Sequence, residues 1–188
     1  MQWVYNMKHI FMGFLFIILN FYLPLNNDII INLIPNFIGF WFLLKGIREL
    51  SRHSTHFDKA APLAKILFVY YVLDFIANLT GIASKLLREH IIGGFLLGLF
   101  IIILSLSCSQ LIVKGIMEME VKTQCRAGTD KLYTVWMSYA FVLVIYYLVV
   151  YFAPGLSAIG LLASLIINIY FLITLNKTKN EFTAVSIY

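Results

Sequence analysis

IIGGFLLGLFIIILSLSCSQLIV, residues 91–113, decides the fold class, because it runs for 23 residues without a charged side chain. A helix needs about 20 mainly apolar residues to cross a hydrocarbon core of roughly 30 Å. The stretch therefore predicts a membrane-spanning helix. The composition agrees, since 61% of the chain is hydrophobic and only 12% is charged, where a globular domain carries about 25% charged residues. An ordinary water-soluble domain is excluded.

Five further apolar runs flank this stretch and leave only short polar segments between them. They predict an all-α fold, a six-transmembrane-helix bundle formed by one domain over residues 1–188. The first run follows Lys8 as in a signal peptide, but no small-x-small cleavage pattern comes after it, so we expect it to be kept as a helix. The six predicted spans are residues 10–25, 29–44, 66–83, 91–113, 132–152 and 156–175.

The basic residues predict the orientation of these spans. Lys and Arg are concentrated in the cytoplasmic segments of membrane proteins. Only Lys85 and Arg88 lie on one side of the predicted topology. Both ends of the chain are therefore predicted to be cytoplasmic. The twelve basic residues on the other side are Lys8, Lys45, Arg48, Arg52, Lys59, Lys65, Lys114, Lys122, Arg126, Lys131, Lys177 and Lys179.

One acidic residue, Asp74, lies well inside a predicted span, in ILFVYYVLDFIANLTGIA. A carboxylate at mid-helix costs about 2.5–3.5 kcal/mol on insertion scales, so we expect it to face the protein interior or a water-filled cavity rather than lipid. A stripe of polar or small side chains recurs around it at helical spacing. Its members are Tyr71, Asp74, Asn78 and Gly81.

A second polar stripe lies in span two, where Asn32, Asn36 and Gly39 recur in INLIPNFIGF. With Asn20 of span one and Asn78, these amides are expected in the outer half of the membrane. The pattern predicts an outward-opening polar pocket floored by Asp74, which binds a cation, a proton or a small polar solute. The alternative is that these side chains join helices through hydrogen bonds of about 0.6–2 kcal/mol each.

The segment from Lys45 to Lys65 has apolar residues at three-to-four spacing with Arg48, Arg52 and Lys59 between them. This pattern is typical of an amphipathic helix on the inner membrane surface. Such a helix could contact a soluble partner or anionic lipid, or it could be a solvated extension of span two. No Lys/Arg tract interleaved with aromatic residues is present, so we expect no nucleic-acid partner.

Motifs of enzymes and metal sites are missing. The sequence has no G-x-S-x-G, H-E-x-x-H or P-loop pattern, and Asp74 has no His, Ser or Lys nearby in sequence to complete a catalytic set. His53 and His56 are spaced like two ligands on one helix face, but a closed zinc site needs four. We therefore expect a non-enzymatic protein without a metal ion or cofactor.

The stretch NLIPNFIGFWFLLKGIRELSRHSTHFDKA resembles a pattern found in small, uncharacterised membrane proteins of low-GC Gram-positive bacteria, in which an N-x-x-P-[ND]-F-I-G helix precedes a short polar segment. The resemblance implies a multi-pass protein of the bacterial plasma membrane. In size and span count the chain is also similar to the substrate-binding membrane subunits of energy-coupling-factor transporters, which implies an architecture and no activity.

Three functional hypotheses remain. The first is a transporter or transporter subunit that binds a small polar solute or ion around Asp74. The second is an assembly or regulatory protein that contacts a cytoplasmic or membrane partner through the basic segments 45–65 and 114–131. The third is an intramembrane enzyme that modifies lipid. Substitution of Asp74, compared with charge reversal at Arg48 and Arg52, would separate the first two.

Overall fold

The computed structural model describes residues 2–19, 22–24 and 30–185. The described chain is almost entirely helical. Two turns of 3-10 helix, Ser51–His53 and Pro154–Leu156, connect longer elements. Within the described ranges these elements are α1 (Gln2–Ile18), β1 (Tyr22–Pro24), β2 (Ile30–Asn32), α2 (Asn36–Leu50), α3 (Thr55–Leu79), α4 (Ile82–Glu89), α5 (Ile91–Thr123), α6 (Thr129–Phe152) and α7 (Ser157–Val185).

Four of the described helices are long and apolar enough to cross a membrane: α3, α5, α6, and α7 with the turn before it. Between 11% and 28% of the residues in their apolar stretches are buried inside the protein. Because helices that are apolar on all faces need an apolar surrounding, their remaining surface suits lipid. The expectation of a helical protein is therefore confirmed, with four described helices that are long and apolar enough to span a membrane.

The first two predicted spans differ from the structure. Helix α1 ends at Ile18, and α2 begins only at Asn36. Strands β1 and β2 lie between them and pair antiparallel, with Leu23 opposite Ile31. The helices predicted over 10–25 and 29–44 are thus corrected in position: α1 ends seven residues earlier than predicted, and α2 begins seven residues later. At 17 and 15 residues, α1 and α2 do not by themselves decide whether the chain has six spans.

The amphipathic helix predicted over 45–65 is also corrected, because helical structure is interrupted at Ser54. The Ser54 hydroxyl accepts a hydrogen bond from the backbone N–H of His56, 3.1 Å away, and so caps the start of α3. Span three, predicted to begin at residue 66, is therefore continuous with the residues from Thr55 onwards. The basic segment consists of the end of α2, a 3-10 turn and the start of α3.

Among the described elements, the six longer helices form a ring in which each one packs against two others. Helix α1 packs on α2, α2 on α3, α3 on α5, α5 on α6 and α6 on α7, and α7 closes the ring against α1. The aromatic ring of Phe171 in α7 has its centroid 5.3 Å from the ring centroids of both Phe14 in α1 and Tyr139 in α6. Aromatic contacts therefore close the bundle.

The two ends of this ring are packed differently. At the packed end, which carries the connections 51–54 and 124–128, the buried side chains include Phe57, Ile116 and Leu132. At the open end, which carries residues 80–90 and 153–156, large apolar side chains such as Leu86, Ile92 and Phe152 are exposed. The helices thus share a dense core over only part of their length.

Polar contacts tie the connections together at the packed end. The Ser54 hydroxyl donates to Glu118 Oε2 at 2.5 Å, and Lys122 Nζ lies 2.8 Å from the other oxygen of that carboxylate. The same ammonium donates to the His53 carbonyl at 2.9 Å. The α2–α3 connection is thereby fixed to the end of α5.

Candidate functional site

A cavity of 580 Å³ opens at the open end between α3, α4 and α5. Small-molecule sites typically measure about 300–1,000 Å³, so the cavity has the size of a site for one small ligand. Most of its walls are apolar or small residues. The lining residues are Tyr70, Leu73, Asp74, Ala77, Ile82, Ala83, Leu86, His90, Gly93, Gly94, Leu97, Gly98 and Tyr151.

Asp74 contributes the one carboxylate among these lining residues. It lies on α3 four residues after Tyr70 and three before Ala77, so all three side chains share one helix face. Its backbone carbonyl accepts a hydrogen bond of 2.8 Å from the Asn78 side chain. The cavity therefore presents one carboxyl group within a largely apolar wall.

The opposite wall consists of the first turns of α5 and the end of α6. Glycines at 93, 94 and 98 keep the α5 side of the cavity free of bulky side chains. The Tyr147 hydroxyl donates a hydrogen bond of 2.6 Å to the Phe95 backbone carbonyl. The aromatic rings of the same two residues stack, with centroids 5.6 Å apart. Tyr151 packs edge-on against the same Phe95 ring and lines the cavity. This wall is thus held by aromatic contacts.

Besides Asp74 and the two tyrosines, His90 is the remaining titratable side chain that lines the cavity. It is exposed and lies between α4 and α5, where its backbone carbonyl accepts the first helical hydrogen bond from Gly94 at 2.9 Å. Its position at the junction of the two helices places it at the rim of the cavity. No local sequence pattern connects His90 with Asp74.

The structure separates the residues of the predicted polar pocket. Asp74 lines the cavity and Asn78 bonds to it, but the Tyr71 ring stacks on Phe40 of α2, with centroids 5.1 Å apart. Tyr70 takes the place expected for Tyr71. Both tyrosines lie about one helical turn before Asp74, so spacing alone could not choose between them.

The amides of span two are also outside the cavity. The Asn32 side chain accepts a hydrogen bond from the Ile34 backbone at 3.1 Å and so shapes the turn before α2. Asn36 is buried at the start of α2, and its side-chain oxygen has no hydrogen-bond partner within the described part of the chain. Asn20 lies outside the described residues. Aromatic rings, rather than facing amides, form the α2–α3 contact, as between Phe37 and Phe75.

Glycines of α5 and α7 accommodate tyrosines of α6. Gly98 lies against the Tyr147 hydroxyl, and Gly160 lies against the Tyr146 ring. Both contacts are within the chain. The residues predicted to contact a partner or lipid, Arg48, Arg52 and Lys59, are exposed at the packed end.

Comparison of the chain with models of known protein families, with curated proteins and with solved structures finds no match. The resemblance seen in the N-x-x-P-[ND]-F-I-G stretch therefore stays a prediction. Any functional conclusion has to come from the geometry of the chain itself.

Proposed function

We propose that the chain is a six-span protein of the bacterial plasma membrane that binds a small organic cation in the cavity beside Asp74, as a transporter or a transporter's substrate-binding subunit. The observation that carries this proposal is one carboxylate in a cavity of 580 Å³ with otherwise apolar or small walls. A charge inside a membrane protein is costly unless it is paired. A cationic ligand with apolar groups would pair Asp74 and fill the remaining volume.

In the proposed orientation, the Asp74 cavity opens on the extracellular side of the membrane. The packed end carries the twelve basic residues of the predicted cytoplasmic side, whereas Lys85 and Arg88 lie on α4 at the open end. The positive-inside rule then favours a cytoplasmic packed end. In this arrangement α1 and α2, together with the strand pair between them, form the first two crossings. Non-helical backbone at membrane depth is tolerated where protein covers it, and β2 contacts α3.

The test is binding of methyltriphenylphosphonium, an apolar cation, to the purified full-length chain in neutral detergent. The wild type should bind the cation, and Asp74→Asn should bind it at least about tenfold more weakly, which corresponds to about 1.4 kcal/mol. Asp58→Asn is the matched control, because Asp58 is exposed at the start of the same helix. Triphenylphosphine oxide, a neutral analogue of similar shape, should not distinguish Asp74→Asn from the wild type.

Equal binding of the cation by the wild type and Asp74→Asn would overturn the proposal. If Asp74→Asn fails to fold, Ala83→Trp provides a second test, since it fills the cavity from α4 without removing the carboxylate. It should abolish binding, and undiminished binding by this variant would also count against the site.

The interaction hypothesis predicts a different pattern. Charge reversal at Arg52 and Lys59, both exposed at the packed end, should leave cation binding unchanged if the cavity is the functional site. If this double reversal abolishes the cellular function while Asp74→Asn retains it, a cytoplasmic partner becomes the better explanation.

A further inference from the structure

A second cavity, of 490 Å³, forms a groove between α2 and α3 near the packed end. Three cationic side chains line it: Lys45, Arg48 and Lys65. Its remaining walls are largely apolar, formed by Trp41, Leu44 and Phe68. The groove is thus divided between a cationic part and an apolar part, and it shares no lining residue with the Asp74 cavity.

Helical spacing explains why these residues meet. Trp41, Lys45 and Arg48 follow one another at four and three residues, so they lie on one face of α2. Lys65 and Phe68 are three residues apart on α3 and lie on the facing surface. Trp41 is 51% exposed, and both lysines and Arg48 are exposed. The shared face therefore points out of the bundle rather than into its core.

The cations of the groove outnumber its one carboxylate. Glu49, the one carboxylate lining it, is hydrogen-bonded to His9 Nδ1 of α1 at 2.9 Å. Within the described residues, Lys45, Arg48 and Lys65 form no ion pair with a carboxylate. With three cationic side chains and one carboxylate, the groove lining carries a net positive charge, so a bound anion would stabilise this arrangement.

An apolar path continues from the groove along the outside of α3. Ile66, Val69 and Leu73 are exposed by 53%, 49% and 61% and lead away from Lys65 toward the open end. An inorganic anion or a soluble phosphate ester would leave this path and the exposed indole of Trp41 without a partner. A molecule with an anionic head and a long apolar tail would cover both.

We propose that the groove binds the headgroup of an anionic phospholipid, with an acyl chain along the exposed face of α3. The phosphodiester accepts hydrogen bonds from Lys45, Arg48 and Lys65, while Trp41 and Phe68 contact the glycerol and upper acyl region. Juxtamembrane Lys and Arg attract anionic lipid on the cytoplasmic side of bacterial membranes, and Trp prefers the interface. This inference rests on the proposed membrane orientation, but it does not depend on a ligand at Asp74.

Native mass spectrometry of the full-length chain in neutral detergent tests the proposal with phosphatidylglycerol and phosphatidylcholine of the same acyl chains. The test variant is Lys45→Gln/Arg48→Gln/Lys65→Gln. The control, Lys59→Gln/Arg126→Gln/Lys177→Gln, removes the same number of exposed lysines and arginines elsewhere. We expect phosphatidylglycerol to bind the test variant at least about tenfold more weakly than the wild type or the control. Binding of phosphatidylcholine should be weak and equal in all three.

Three outcomes would overturn the proposal. Equal weakening by both triple variants would mean that overall charge, and not the groove, attracts the lipid. Equal affinity of the wild type for the two lipids would mean that the headgroup is not recognised. Displacement of phosphatidylglycerol by millimolar inorganic phosphate would assign the groove to a soluble anion.

Two further variants separate this site from folding and from the proposed function. Trp41→Leu keeps every charge and should weaken phosphatidylglycerol binding less than the triple variant does. If the triple variant does not fold, Lys45→Gln/Arg48→Gln gives the decisive comparison. Asp74→Asn should retain full lipid binding, so loss of cation binding and loss of lipid binding are distinguishable.

Discussion

Glu120 shows how one carboxylate can fix a connection between two membrane helices. It lies near the end of α5 and accepts hydrogen bonds from the backbone N–H groups of Ala127 at 2.6 Å, Gly128 at 3.0 Å and Thr129 at 3.0 Å. The Thr129 hydroxyl donates to it as well. Gly128 is the N-cap of α6 and Thr129 its first residue, so their N–H groups have no partner within that helix. A negative charge at a helix N-terminus is also favoured by the helix dipole.

We expect Glu120→Gln to destabilise the protein by about 2 kcal/mol, because hydrogen bonds to a charged group contribute about 1.5–3 kcal/mol and the amide keeps only one accepting oxygen. The measurement is thermal unfolding in detergent followed by circular dichroism. Asp130→Asn is the control, since it removes an exposed carboxylate from the first turn of the same helix. An equal effect of both variants would show that helix-dipole charge alone matters.

His53 provides a pH-dependent element at the packed end. Burial, Lys122 and Arg52 together lower the pKa of His53 below its usual value. The folded state therefore favours the neutral ring. Its contribution to the free energy of unfolding is fully present above about pH 6.5. It is lost as the pH falls below that value through the lowered pKa of the folded state.

Lys122→Gln should raise the pKa of His53, because it removes one of the cations that oppose protonation. Nuclear magnetic resonance titration of histidine-labelled protein measures the pKa, and His53→Gln assigns the signal. Lys131→Gln, an exposed lysine on α6, should leave the pKa of His53 where it is. An unchanged pKa in Lys122→Gln would contradict this electrostatic account.

At the scale of helices, glycines bring α1 and α2 into close contact. A Cβ atom at Gly39 would lie 2.8 Å from the Gly13 carbonyl oxygen, and one at Gly46 would lie 3.0 Å from the backbone nitrogen of Ile10. The neighbouring atoms belong to the backbone, so they cannot move aside as a flexible side chain does. Small residues allow such approach in membrane helices, where packing rather than the hydrophobic effect drives association.

Gly39→Ala should therefore destabilise the α1–α2 pair by about 1–3 kcal/mol, the usual cost of overpacking. Gly155→Ala is the matched control, because nothing lies within 4 Å of a Cβ atom built there. Unfolding by denaturant in mixed micelles measures both variants. Identical stability of the two would mean that the α1–α2 contact can relax without cost.

Sequence patterns predicted some helix boundaries better than others. Long uncharged runs identified α5, α6 and α7, because length and apolar character are sufficient signals for a span. The strands at 22–24 and 30–32 escaped prediction because their residues are as apolar as the adjoining helices. Pro24 and Pro35 were the available signals of interruption, and β1 ends at Pro24 while α2 begins directly after Pro35.

The candidate site was predictable only in part. An aspartate within an apolar run stands out in any sequence, and Asp74 lines a cavity. The partners around it depend on which helices become neighbours and on helix rotation. His90 and Tyr151 approach Asp74 through the packing of α4, α5 and α6, which no local pattern encodes. The pairing of Glu49 with His9, which leaves the groove cations without an ion pair among the described residues, is equally non-local.

The proposed orientation of the whole molecule predicts which connections reagents can reach from each side. In a chain with Cys108 and Cys125 replaced by Ser, a cysteine at Gly155 should react with a membrane-impermeant maleimide added to intact cells. A cysteine at Gln124 should react only after the cells are opened, because the 124–128 connection lies at the packed end. The reverse labelling pattern would invert the topology and place the Asp74 cavity inside.

The contact of α7 with α1 also determines when the helix bundle can close during synthesis. Helix α1 is synthesised before α7, so the Phe14 ring meets Phe171 only after α7 has been made. Until then α1 can pack only against α2, and the flank that contacts α7 in the finished bundle stays uncovered by the protein. Nascent chains that stop before α7 consequently present an unclosed bundle, the feature by which quality-control proteases could distinguish them from finished protein.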